Sequence, residues 1–223
     1  MIYYDIHTHL KALASPEEQV SIVNTAIGME EDEWDAYPAR WRSVGIHPWY
    51  IIEDGKSQLS SLRALAARPD VVAIGEAGLD KTVETPLDKQ LDIFTEQAYL
   101  AEEQRKPLII HCVKAWPDLI ACQKRIRPQV PWIIHGFRGN GILAAQLLRF
   151  GFYLSFGARF QPEAVQAAWP GHLFTETDES SIPIHSIYKS IADALGITLT
   201  ELSTQIARNI SIFPLNDETY RTV

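Results

Sequence analysis

Short apolar runs that stop near an ionisable residue and then give way to a helical pattern recur along this chain. Val71-Val72-Ala73-Ile74 leads into Gly75-Glu76, Pro107-Leu108-Ile109-Ile110 into His111, and Val130-Pro131-Trp132-Ile133-Ile134 into His135. Gly151 to Phe156 adds another run, and His172-Leu173-Phe174-Thr175 leads to Asp178. Amphipathic stretches separate them. The first carries an apolar stripe at Leu87, Leu91, Phe94, Ala98 and Ala101, and the next spans about Trp116 to Ile126. A helix through Leu143, Leu147 and Leu148, a short one from Pro162, and segments Ile184 to Leu195 and Leu199 to Phe213 follow. Strands buried on both faces read as unbroken apolar runs, and parallel strands need crossover helices between them. Strands recurring roughly every 20 to 36 residues with helices between them therefore imply an α/β fold, a (β/α) TIM-type barrel.

The first third fits the same plan less regularly. Tyr3 to His9 reads as a strand, Val20 to Ile27 as a second, and Trp41 to Trp49 as a third that turns at Pro48. Leu10 to Glu18 reads as loop with one helical turn near Ser15-Pro16, and Gly28 to Pro38 as an irregular, acidic connection. Leu59 to Ala67 is the first full helix. The expected barrel is thus slightly reduced at its first helices. No linker or low-complexity tract divides the chain, so residues 1–223 are read as one domain.

A formal charge of −8 argues against a broad basic surface for duplex DNA, so an anionic substrate would have to be recognised inside a pocket. The two cysteines, Cys112 and Cys122, fit free thiols in a reducing compartment. No leader-like or membrane-spanning run is present in the sequence, and the expectation is a cytoplasmic protein.

Function is concentrated where the strands end. In Asp5-Ile6-His7-Thr8-His9 strand alternation puts Asp5, His7 and His9 on one face. His47, Glu76, His111, His135 and Asp178 end later runs, and a barrel brings such ends to one face. A single histidine among these is more often a hydrogen-bonded core residue than a metal ligand. So many strand ends carrying imidazole or carboxylate without a metal is the poorer explanation, because isolated buried charge is costly. His7, His9, His111, His135, Glu76 and Asp178 exceed what one tetrahedral ion takes and suit two. Glu76, with two oxygens in mid-order, is the candidate bridge. His47 either reaches substrate or caps the turn at Pro48. His172, at the start of its strand, and His185, read in a loop, are taken as structural, and Cys112 as core. Lys11, Lys81, Lys114, Arg138 and Arg159 follow the strand ends; each alone reads as solvated surface, but together they make a cationic rim suited to a phosphorylated substrate. Trp49, Trp116, Phe137 and Phe160 share those loops and either stack on bases or pack on the rim.

With these residues in place, the chain resembles the TatD family of metal-dependent hydrolases. The matching segments are Asp5 to Leu10, Val44-Gly45-Ile46-His47-Pro48, Ile74-Gly75-Glu76-Ala77-Gly78-Leu79-Asp80, Pro107 to Cys112, His135-Gly136-Phe137-Arg138-Gly139 and Phe174 to Asp178. Ile206 to Phe213 is similar to the family's closing helix. The resemblance implies two divalent ions (zinc, manganese or magnesium), with His7, His9 and Asp178 on one, His111 and His135 on the other, and Glu76 between. It also implies a deoxyribonuclease of the 3′ exonuclease type acting on single-stranded DNA, with Asp178 accepting the proton from water. Lys81-Thr82, Val113-Lys114 and Glu179-Ser180-Ser181 depart from the family pattern and bear on substrate rather than metal. A small phosphoester, amide or ester hydrolase on the same site stays open, as does a non-catalytic metal-binding adaptor.

Overall fold

The computed structural model describes residues 1–9, 18–27 and 39–215. Eight parallel strands lie in chain order: β1 (Tyr3–Thr8), β2 (Gln19–Ala26), β3 (Trp41–Gly45), β4 (Val71–Asp80), β5 (Leu108–Val113), β6 (Trp132–Ile134), β7 (Phe152–Phe156) and β8 (Leu173–Thr175). The ring closes through a parallel bridge between Thr8 and Asp178. Asp178 N–H donates to His7 O at 2.9 Å, and His9 N–H to Asp178 O at 3.1 Å. Side chains reinforce this seam: Thr175 Oγ1 donates to Tyr4 O at 2.7 Å, and Thr177 donates to the buried Asp5 through N–H and Oγ1. Burial pushes the Asp5 carboxyl up to about 7, although those bonds to Thr177 oppose the rise. The expected TIM-type barrel is what forms, because strands such as Val71-Val72-Ala73-Ile74 and Trp132-Ile133-Ile134 are buried throughout between interior and helices.

The helices are α1 (Lys56–Ala66), α2 (Leu87–Gln104), α3 (Trp116–Ile126), α4 (Gly141–Arg149), α5 (Pro162–Ala168), α6 (Ile184–Leu195) and α7 (Leu199–Asn209). The connections that the sequence reads as shortened, including the turn near Ser15-Pro16 and the acidic stretch from Gly28, lie outside the described residues. Helix α1 begins three residues before the expected Leu59. His185 lies in the first turn of α6, inside the helix expected from Ile184 and not in a loop; Pro183 is the N-cap and Ile184 is already buried. His172 stacks on Tyr153 with ring centroids 4.8 Å apart, away from the strand ends that carry the acids.

Strand β4 continues well past its apolar run, through Gly75 and Gly78 to Asp80. Gly75 has φ +134°, and a Cβ there would collide with the carbonyl of Ile109. Only glycine lets β4 approach β5 this closely while turning Glu76 inward.

Helix α2 departs most from expectation. Leu87 and Leu91, on the expected stripe, are only partly buried, whereas Gln90 and Gln97 are buried. Gln97 receives the Ile46 N–H at 2.7 Å and donates to Ile46 O at 3.0 Å. Gln90 does the same for Asp80, at 2.7 and 2.9 Å. On α1, Gln58 accepts from Ile52 N–H and donates to Ile27 O and Tyr50 O. Strand ends that have run out of neighbours still carry buried N–H and C=O groups, which must be satisfied. These primary amides satisfy them, and so hold in place the residues that follow: His47 after Ile46, and Asp80 itself.

Candidate metal centre

Glu76 is the hub of the barrel mouth. Its Oε2 lies 3.4 Å from His7 Nε2 and 3.6 Å from His9 Nε2. Its Oε1 lies 2.7 Å from His135 Nε2, 3.0 Å from His111 Nδ1 and 3.2 Å from His47 Nε2. The two oxygens therefore face two different sets of imidazoles. Asp178 completes the first set, with Oδ1 at 3.9 Å from His7 Nε2 and 3.7 Å from His9 Nε2. Burial opposes charge on Glu76, yet His135, His111 and His47 hold its carboxyl well below the usual carboxylate range. From behind, Asn24 Oδ1 accepts the Glu76 N–H at 2.9 Å and the Ser43 hydroxyl at 3.1 Å. Its Nδ2 reaches Glu76 Oε2 at 3.5 Å.

Second partners decide which nitrogen of each imidazole is free. His111 Nε2 lies 3.3 Å from Asp80 Oδ2, so its proton belongs there and Nδ1 presents a lone pair to the cup. His135 Nδ1 lies 3.5 Å from the buried Glu176 Oε1, which also accepts the Gly136 N–H at 2.6 Å. His135 Nε2 and His111 Nδ1 then face each other at 3.5 Å, two lone-pair atoms with only a cation or a proton to reconcile them. Burial disfavours charge on His135, but Glu76 and Glu176 push its pKa well above the ordinary imidazole value. Both ring nitrogens of the fully buried His7 lack a hydrogen-bond partner. A buried polar atom without a partner is expensive, and the carboxylates of Glu76, Asp178, Asp80 and Glu176 around one cluster of imidazoles demand positive charge. The donor set fits divalent ions.

His47 is different. Its Nε2 lies close enough to Glu76 and His111 to form a third group of donor atoms. However, its Nδ1 accepts the N–H of Trp49 at 3.2 Å, which leaves the proton on Nε2. A protonated Nε2 donates and does not ligate. The turn-capping reading of His47 holds, with Nδ1 capping the turn after Pro48, while Nε2 lies at the mouth, 3.2 Å from Glu76 Oε1. Burial depresses its pKa, which keeps it neutral.

The structure brings His7, His9, His47, Glu76, His111, His135 and Asp178 together, as the strand ends predicted. It treats the rim cations unequally. Lys81 Nζ is bound to Asp118 Oδ2 at 2.6 Å, Lys114 is exposed ahead of α3, and Lys11 lies outside the described residues. Arg138 and Arg159 line a cavity of about 260 Å³ that also touches Glu176, Asp178 and Ser180. Among the aromatics, Phe137 is buried and Trp116 packs against it with centroids 6.0 Å apart, while Phe160 packs against Phe156 at 6.5 Å. Packing is the reading that holds for these three. Asp80, Glu176 and Asn24 were not singled out from the sequence. Glu176 has a visible signal, since alternation places it with Asp178; for Asn24, inside an apolar run, the only hint is polarity.

Comparison with known proteins gives the family of this chain. The family model for TatD related DNase matches residues 26–213. An uncharacterised metal-dependent hydrolase of Bacillus subtilis, YabD, is 30% identical over 201 residues, covering 78% of this chain and 79% of its own. The 3′-5′ ssDNA/RNA exonuclease TatD of Cronobacter turicensis is 33% identical over 142 residues, but the match spans only 54% of that protein. The crystal structure of a TatD homologue from Escherichia coli, YJJV, superposes with a TM-score of 0.79 at 20% identity, covering 94% of this chain and 96% of that one. That likeness speaks to the fold, while the family match and YabD speak to kinship. The chain belongs to the TatD family of metal-dependent hydrolases.

Proposed function

We propose that the protein is a phosphodiesterase of the 3′ exonuclease type, acting on single-stranded DNA through a two-metal centre bridged by Glu76. The observation that carries this reading is the division of Glu76 between two imidazole sets. His7, His9 and Asp178 would hold one ion, and His111 and His135 the other. Such ions supply charge that polarises a phosphoryl oxygen and acidifies water. Asp178, partly exposed and beside His7 and His9, accepts the proton of the attacking water. His47 Nε2–H donates to a phosphoryl oxygen as negative charge grows on it. Arg138 and Arg159, exposed in the cavity beside Asp178, hold a neighbouring phosphate. Similar proteins support this polarity: a 3′-5′ ssDNA/RNA exonuclease in Cronobacter turicensis and a 3′-5′ RNA nuclease in Homo sapiens, the latter matched over 16% of its length.

A small phosphoester substrate is the second reading. It is favoured by the capture of Lys81 by Asp118 and by a cavity of only about 260 Å³ in a chain of charge −8. One experiment separates the two. Wild type and Glu76→Ala are assayed on a 3′-labelled single-stranded oligonucleotide and on bis-p-nitrophenyl phosphate, after chelation and after metal is restored. Metal-dependent mononucleotide release, lost in the variant, supports the nuclease. Cleavage of the small ester alone moves the substrate to a small molecule. No turnover of either by metal-loaded protein overturns the enzyme reading in favour of an adaptor.

A further inference from the structure

Among the described residues, Trp49 is the one aromatic of the strand-end loops that does not pack away. The residue is 55% exposed, beside the buried His47 and Asp80. Its ring centroid lies 5.0 Å from His47 and 6.1 Å from His111, the two imidazoles that face Glu76 Oε1 along with His135. The ring is held rigidly. Indole Nε1–H donates to Asp80 Oδ2 at 2.8 Å, and the backbone N–H is capped by His47 Nδ1. A large apolar face left in water gains nothing for the fold, and a face fixed in one orientation loses little entropy when a ligand covers it.

Charge divides the mouth into two halves. On the Trp49 side the nearby cation, Lys81, is already neutralised by Asp118. On the opposite side Arg138 and Arg159 flank the cavity with no carboxylate within ion-pair distance among the described residues. A ligand spanning this mouth over the Glu76 centre therefore meets an aromatic plane at one end and guanidinium groups at the other. A nucleotide unit joined to a further phosphate has that pattern: a planar base, a reacting phosphate in the middle, and an anion beyond.

We propose that Trp49 is a stacking platform for the nucleobase of the nucleotide being released, and that it sets which end of the substrate enters on which side of the centre. The proposal rests on the nuclease reading and adds the base subsite to it. Stacking is tolerant of base identity, because every base has a π-face, so Trp49 confers recognition of a base without a choice among bases. The Asp80 hydrogen bond links the platform to the carboxylate that orients His111, so one side chain positions both ligand and ion donor.

The test uses full-length, metal-loaded protein and isothermal titration with two probes, dAMP and deoxyribose 5-phosphate, on wild type, Trp49→Phe and Trp49→Leu. Both variants lose the bond to Asp80, so the difference between them reads the aromatic face alone. Expected results are near wild-type dAMP affinity in Trp49→Phe, about tenfold weaker dAMP binding in Trp49→Leu, and equal sugar-phosphate affinity in all three. Quenching of tryptophan fluorescence by dAMP is expected in wild type and lost in Trp49→Phe. Equal dAMP affinity in the two variants, or a matching loss of deoxyribose 5-phosphate in Trp49→Leu, overturns the platform and leaves the nuclease reading standing. Wild-type protein that retains its metal and binds neither probe overturns both.

Discussion

Asp80→Asn is the substitution whose outcome follows most directly from the geometry. Asp80 is buried and its two oxygens are fully used. Oδ1 accepts the N–H and hydroxyl of Thr82, at 2.8 and 2.5 Å. Oδ2 accepts Trp49 Nε1–H at 2.8 Å and faces His111 Nε2 at 3.3 Å. An asparagine has one oxygen to offer. If it stays with Thr82, the amide NH2 confronts two donors; if it flips, Thr82 loses its acceptor. Either way a buried donor is stranded, at about 1–3 kcal/mol. Linkage gives a second route to the same figure. Burial opposes the charge, but Thr82, Trp49 and His111 hold the Asp80 carboxyl down at about 2 against an ordinary 3.8. A depressed pKa contributes stability that is complete above the unfolded value and is lost as pH falls through the folded one. That difference is about 2 kcal/mol in the metal-free protein at neutral pH. Metal binding adds a distinct signature. His111 relieves the clash by moving its proton to Nδ1, the atom that presents the lone pair to the centre, and affinity drops about 10–100-fold. Urea denaturation with chelator at pH 7 and pH 3, and competition titration against a coloured chelator, measure the two effects. Wild-type metal affinity in Asp80→Asn, with the stability loss present, would refute the assigned role of Asp80 in orienting His111.

Further expectations concern neighbouring groups. Glu176→Gln keeps an acceptor for Gly136 N–H but removes the charge facing His135 Nδ1, so metal affinity falls about tenfold while folding is retained, as read by elemental analysis after graded chelation. His47→Asn leaves a side-chain oxygen to cap the turn and removes the Nε2–H. Bound metal stays at the wild-type level while kcat falls about 100-fold, and loss of metal in this variant would restore His47 to the ligand set. Gln97→Leu preserves volume and strands the Ile46 N–H and C=O, costing about 2–4 kcal/mol. Urea midpoint measurements at constant m-value check it, and an unchanged midpoint would show those groups finding other partners.

How much of this was legible in advance varies with the kind of information each residue carries. The succession of apolar runs and helical stripes contained the barrel, because a strand buried on both faces has a local signature and parallel pairing forces the helix between. Strand alternation placed His7 and His9 together, and the termination of each run on His47, Glu76, His111, His135 and Asp178 placed the rest at one end. Those are properties of the chain's own periodicity, readable without knowing what packs where. The glutamines of α2 were not, since in sequence Gln90 and Gln97 fall beside the apolar stripe, not in it, and look solvent-facing. Their burial follows from the unpaired backbone groups of Ile46 and Asp80, which exist only after the strands have been staggered against each other. The roles of Asp80, Glu176 and Asn24 have the same origin. Which imidazole nitrogen keeps its proton depends on a carboxylate or a backbone N–H contributed by another strand or turn, so His47 and His111 look alike in sequence and behave differently in the fold. The fate of the rim cations was equally tertiary: Lys81 is claimed by Asp118 from the first turn of α3, whereas among the described residues no carboxylate lies within ion-pair distance of Arg138 or Arg159. Local periodicity carried the fold and the list of donors, while the direction of each proton and the availability of each charge arose only where separate segments meet.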